Sequence, residues 1–166
     1  PYMNPAFPEM IAAAKKRRIR VWSSPNGHFM TPDAIRSTIE ARPDNLIISV
    51  DGTTQEAYAQ YRTGGSLERV LLGIREFVRI KKEMRAKKPK LIIQFLVLRS
   101  NEHQIPDIRR LGKELGVDKV ALKSAQFYEY EEGNPLMPES SKWRRYGRTG
   151  GRADRQIGRA SCRERV

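Results

Sequence analysis

Leu46-Ile47-Ile48-Ser49-Val50, closed by Asp51-Gly52, is the stretch that decides the fold. An apolar run this continuous marks a parallel strand covered on both faces, and Asp-Gly ends it because both residues favour turns. Downstream, Thr53 and Glu56 stand at capping-box spacing and open a short helix through Tyr58. Gly64-Gly65 breaks it. Ser66 then caps the longest helix, whose apolar stripe is Leu67, Val70, Leu71, Ile74, Phe77 and Val78. Leu91 to Leu98 is the next strand, followed by the polar turn Arg99-Ser100-Asn101-Glu102. Ile105, Ile108, Leu111 and Leu115 mark another helix, ended by Gly116, and Val117 to Leu122 is the last strand expected. Upstream, Thr31-Pro32-Asp33 joins an N-cap, a proline at the first helical position and an early acid. Ala34, Ile35, Thr38 and Ile39 give that helix its buried face. Ile19 to Trp22 reads as a short strand. Before it, Phe7, Met10, Ile11 and Ala14 recur at helical spacing and lead to Lys15-Lys16-Arg17-Arg18, a basic end suited to the negative pole of a helix dipole.

This alternation of helix and strand predicts an α/β fold with a parallel sheet and right-handed crossovers. An open doubly wound sheet and a barrel both remain available. In either, function gathers in the loops at the carboxyl ends of the strands. Those loops are Ser23 to Gly27, Ser49 to Gly52, Arg99 to Asn101 and Lys123 to Gln126, and all four are polar.

The length of 166 residues fits one domain. The net charge of +13 is unevenly spread: nine of the 32 Lys and Arg and two of the 19 acids lie in the last 25 residues. The body is therefore only mildly basic. No run of about 18 apolar residues predicts a membrane span, and no signal peptide stands at the start. The single cysteine, Cys162, supports neither a disulfide framework nor a metal site, which points to a cytoplasmic protein. A complete phosphate-binding domain is disfavoured, because there is no Walker or Rossmann glycine loop. A basic α/β nucleic-acid-binding module is the alternative to an enzyme, and it predicts salt-dependent binding. Lys15 to Arg18 and Lys81 to Lys90 read as solvated helix ends, so nucleic acid is not the expected partner.

The four loops in order resemble the radical S-adenosylmethionine (radical SAM) superfamily, most closely its branch with a C-terminal SPASM domain. Pro1-Tyr2-Met3-Asn4-Pro5 is similar to the end of that family's Gly-Gly-Glu-Pro motif and the residues just after it. Ser24-Pro25-Asn26-Gly27 resembles its Thr-Asn-Gly loop, and Ser49-Val50-Asp51-Gly52 its Ser-x-Asp-Gly loop. Tyr58, Tyr61-Arg62 and Gly64-Gly65 resemble the family's continuation, and Asn101 the polar end of its fifth strand. The resemblance implies a partial (β/α)6 TIM-like barrel, of which this chain carries the later βα units over residues 1–146. It implies a parent oxidoreductase or maturase that uses a [4Fe–4S] cluster to cleave SAM to a 5′-deoxyadenosyl radical. It leaves the small-molecule or peptide substrate open.

By the same resemblance, Asn26, Ser49, Asp51 and Asn101 are the expected cofactor-binding residues. Ser49 and Asp51 offer a hydroxyl and a carboxylate for polar parts of SAM, and the two amides suit ribose hydroxyls. Each has a second reading: Asn26-Gly27 as a turn, Asp51 as a cap for the helix near Thr53, Ser49 as a satisfied core hydroxyl, and Asn101 as a cap for the helix at Gln104. Lys123 and Gln126 lie where substrate contacts fall, with solvated roles as the simpler reading. His28 and His103 lack partners at metal-ligand spacing and read as surface or loop-packing residues. The cluster's cysteine loop is expected upstream of Pro1, so this chain alone is expected to hold no cluster and no SAM, and to be inactive. Pro25 replaces the family's hydroxyl residue and removes a backbone N–H. Ile157 to Val166 resembles the translation of a common sequencing adapter, and Gly147 to Gln156 is rich in Gly and Arg. Residues 147–166 are therefore expected to be a non-native or disordered basic tail.

Overall fold

The structure, a computed structural model, describes residues 1–127 and 134–144, with the backbone alone of Gly147–Thr149 and Arg152–Asp154. The expected basic tail and Cys162 fall largely outside the described residues. In chain order the elements are α1 (Phe7–Lys16), β1 (Trp22–Ser23), α2 (Pro32–Ala41), β2 (Asn45–Ser49), α3 (Gln55–Tyr61), α4 (Leu67–Glu83), β3 (Lys90–Val97), α5 (Ile105–Leu115) and β4 (Lys119–Ser124). The short strands β5 (Gly147–Thr149) and β6 (Arg152–Asp154) form a separate antiparallel pair.

Four strands make one parallel sheet in the order β1-β2-β3-β4. A doubly wound sheet reverses its strand order at a switch point. This one does not reverse. With crossovers of one hand, sequential order puts every helix on the same face, and α1 packs on α2, α2 on α4 and α4 on α5. The sheet's alternation agrees. Leu46, Ile48 and Val50 are fully buried with Leu91, Ile93, Phe95 and Val97, against Ile35 and Ile39 of α2, Val70, Ile74 and Phe77 of α4, and Ile108 of α5. Each such side chain contributes roughly 1.5–3 kcal/mol by leaving water.

The opposite face carries Ile47, Ser49, Ile92, Gln94 and Leu96, all half-buried. The expectation of a strand covered on both faces thus holds for one face only, the one on which the helices lie. The sheet is α/β, parallel and wound in one sense.

Three boundaries differ from expectation, each for a local reason. The first strand begins at Trp22 rather than Ile19, because the Ile19 N–H turns back to the Ala14 carbonyl and closes α1. The short helix α3 is capped by Thr54, whose side chain accepts from Ala57 N, while Thr53 N donates to the Gln104 side chain. The last strand begins at Lys119, because Val117 N is still bonded to Gly112 O at the end of α5.

Candidate functional site

The carboxyl ends of β2 and β3 are tied together by one buried aspartate. β2 runs out at Ser49, and Val50 N donates to Gln94 O. Asp51 comes next, with no exposed surface. Its Oδ1 accepts from Leu96 N at 2.7 Å and its Oδ2 from Arg62 Nε at 2.7 Å. A carboxylate with no solvent must be paired and hydrogen-bonded, and these contacts do both. Gly52 allows the turn into α3: a Cβ there would sit 2.4 Å from Tyr58 N, so the loop lies directly on that helix.

Asn101 completes the join. Its Oδ1 accepts from Leu98 N at 2.8 Å, and its Nδ2 donates to Asp51 O and Leu96 O, both at 2.9 Å. It is buried, and both amide hydrogens are engaged. Gln104, also buried, accepts from Thr53 N at 2.8 Å. Asp51 and Asn101 therefore act here by positioning the loops after β2 and β3. Neither caps a helix through its side chain.

Asn26 is exposed, and its Oδ1 accepts from His28 N at 3.2 Å, the geometry of a turn. His28 Nε2 accepts from Ser66 N at 3.0 Å, so the ring proton sits on Nδ1 and faces Asn26 O at 3.2 Å. The neutral imidazole thereby docks the first loop onto the start of α4. His103 is exposed in a short 3-10 turn before α5. Pro25 is buried, while Lys123 and Gln126 are exposed.

Ser49 has a different surrounding. Its hydroxyl has no hydrogen-bond partner among the described residues, and it stands on the half-open face beside Gln94, its register partner on β3. Neighbouring strands lie about 4.8 Å apart, so the hydroxyl and the carboxamide form one polar step between Ile47–Ile92 below and Leu96 above. In the loop after α3, Arg62 keeps both terminal nitrogens without a partner among the described residues. Its guanidinium lies over the Tyr61 ring, 5.4 Å from the centroid. Tyr58, packed beneath, has its phenol pushed up by burial, with Asp51 adding to the effect and Arg62 opposing it.

Gln94 and Arg62 were not expected as site residues. Gln94 is a polar residue inside an otherwise apolar strand, which is a readable signal once its register is known. Arg62 is recognised only through Asp51.

Among the described residues, no group of three or more His, Cys, Asp or Glu could hold a metal ion. Thiolates are what an iron–sulfur cluster requires, so the residues on this site do not fit one. The Ser49–Gln94 step and the free Arg62 fork do fit the hydroxyl, amine and carboxylate groups of a small polar cofactor. No described helix is long and apolar enough to cross a membrane.

No family model matches the chain. It is similar to the tungsten-containing aldehyde ferredoxin oxidoreductase cofactor-modifying protein of Pyrococcus furiosus, at 25% identity over 148 residues. The match covers 85% of this chain and 40% of that relative, so the chain spans about two fifths of the relative's length.

Proposed function

We propose that the chain is the later part of a radical SAM barrel in a cytosolic enzyme, and that the parent modifies a cofactor or a peptide rather than acting on nucleic acid. The observation that carries this reading is the singly wound sheet with an open polar step at its carboxyl end. The similarity to a cofactor-modifying protein supports the same direction. A SPASM-type continuation past residue 146 belongs to the proposal. When bound in the parent, SAM and its cluster supply the radical chemistry, and the cluster ligands come from outside this stretch.

The residues of this chain bind and orient. Ser49 and Gln94 hydrogen-bond polar groups laid across the open face. Arg62, aimed through its Nε by Asp51, keeps its fork for a carboxylate or phosphate. Asn101 and Gln104 hold the two loops so that this geometry exists before anything binds, which lowers the ordering cost of binding.

The test is the gene product that contains this stretch, purified without oxygen and reconstituted with iron and sulfide. It is expected to release 5′-deoxyadenosine from SAM, whereas the isolated 166-residue chain takes up no iron. In the parent, Ser49→Ala and Gln94→Leu are expected to weaken SAM binding about tenfold, or about 1.4 kcal/mol, with melting unchanged. A reconstituted parent that releases no 5′-deoxyadenosine, or variants that bind SAM as the wild type does, would overturn the assignment.

A further inference from the structure

We propose that the other end of the sheet, at the strand amino termini, is a docking surface for an acidic polypeptide, built on Arg18, Arg42 and Arg85. The proposal is independent of the carboxyl-end site. In this fold every helix that leads into a strand ends at that side, and α1, α2, α4 and α5 each end in a left-handed residue. After α5 that residue is Gly116 at φ +72°, with Gly116 N bonded to Lys113 O and Val117 N to Gly112 O. After α4 the same pair of bonds forms, Arg85 N to Lys82 O and Ala86 N to Lys81 O, but the left-handed residue is Arg85 at φ 49°. After α1 it is Arg18 at φ 58°, with Arg18 N to Lys15 O and Ile19 N to Ala14 O. After α2 it is Arg42 at φ 58°, followed by Pro43.

Glycine or asparagine is the low-strain choice at this position, and any other side chain costs stability there. Among the described residues, the three non-glycine residues with positive φ are these three arginines. No hydrogen bond, ion pair or ring contact within the described residues engages any of their guanidinium groups. The fold thus bears the strain and takes no local contact in return. Strain of that kind is a pointer to function.

The surroundings identify the ligand's chemistry. Of the nearby acids, Asp44 is engaged by Lys15 and Lys88 and Asp118 by Lys81, while Glu40 has no ion pair among the described residues. Two adjoining hollows of about 360 and 470 Å³ share Glu40, Arg42 and Lys88, and the first is floored by Ile39, Met84 and Ala86. Glu40 is the one acid in their lining. No aromatic side chain lines either hollow, and the exposed aromatic at this end of the sheet is Trp22, at the start of β1. The Arg42 and Arg85 forks over an aliphatic floor match carboxylates interspersed with aliphatic side chains, and Arg18 adds its charge from outside the two hollows.

The test uses the full chain with Arg18→Asn, Arg42→Asn and Arg85→Asn combined. Asparagine keeps the left-handed backbone and removes the charge, so the variant is expected to melt at the same temperature or higher. A second variant, Arg152→Asn, Arg155→Asn and Arg159→Asn combined, removes the same charge from the tail. Binding of labelled poly-L-glutamate and of a single-stranded oligo-dT is measured for both. The helix-end variant is expected to lose about tenfold in poly-L-glutamate affinity, and the tail variant less than twofold. Equal losses in the two variants, no loss in the helix-end variant, or an equal loss of oligo-dT binding would overturn the proposal.

Discussion

Both ends of the sheet use an aspartate to catch a main-chain N–H from another segment, and the two ends differ in what surrounds it. At the amino end, Asp44 accepts from Val21 N while Lys15 and Lys88 reach it from solvent, and Asp118 accepts from Leu91 N beside Lys81. At the carboxyl end, Asp51 accepts from Leu96 N with its side chain fully buried, and its cation is the arginine Arg62. The first arrangement is wet and flexible, since lysine stems can leave and water can replace them. The second is dry and directional. It fixes a guanidinium whose two terminal nitrogens have no partner among the described residues. One device therefore fastens strands at one end and prepares a site at the other.

The largest effect expected from this contrast is on Asp51. Asp51→Ala strands Arg62 and leaves Leu96 N unpaired, and should cost about 3–5 kcal/mol in urea unfolding. Asp44→Ala should cost only about 1–2 kcal/mol, since water can take over its contacts. Equal costs at the two ends would break the comparison. Asn101→Ala should fall between them, at about 2–4 kcal/mol, because Leu98 N and the carbonyls of Asp51 and Leu96 all lose a partner.

Acid sharpens the same contrast. The hydrogen bond from Lys15, with those from Lys88 and Val21 N, holds the Asp44 carboxyl well below the usual carboxylate range. A depressed folded-state value stabilises the protein above the unfolded value of about 3.9, and that stability is lost as pH falls through the folded value. Thermal melts of the wild type should therefore drop below about pH 4, and Asp44→Asn should flatten that limb. Alkali acts through a different group. Burial pushes the Tyr2 phenol up to about 12, with Thr38 beside it offsetting part of the rise. Among the described residues its hydroxyl has no hydrogen-bond partner, and the Thr38 hydroxyl donates to Ala34 O. A raised value gives stability that is full below about pH 10 and is lost as pH rises through the folded value. Tyr2→Phe should remove that alkaline loss and change neutral-pH stability by less than about 1 kcal/mol. The smallest effect belongs to the open face: Ser49→Ala should move the melting free energy by less than about 0.5 kcal/mol. A larger loss would mean that Ser49 supports the fold and is not held ready for a ligand.

The elements were legible because their causes are local. Thr31 and Ser66 cap the helices their spacing predicted, and Gly116 ends α5 where it was expected. The site was legible in part. Ser49, Asp51 and Asn101 all lie at the carboxyl end of the sheet, but only Ser49 keeps a free polar group. The other two turn inward, because strand ends leave N–H and C=O groups that a buried loop must satisfy. Gln94 was hidden in an apolar run, since its face depends on register with β2. Arg62 was hidden because its partner, 11 residues away, is fixed only when α3 folds back over the loop.

Apolar runs, caps and turn residues along the chain were enough to determine an α/β alternation and to mark the loops after each strand. Those signals act between residues close in sequence, through backbone geometry and hydrogen bonds one or two turns long. Only the tertiary structure decided that the sheet winds in one sense, that one of its faces stays open, and that three arginines occupy strained helix ends on a common side. Each of these depends on which distant segments pair and which acids are already taken, and a linear pattern of residues does not encode that.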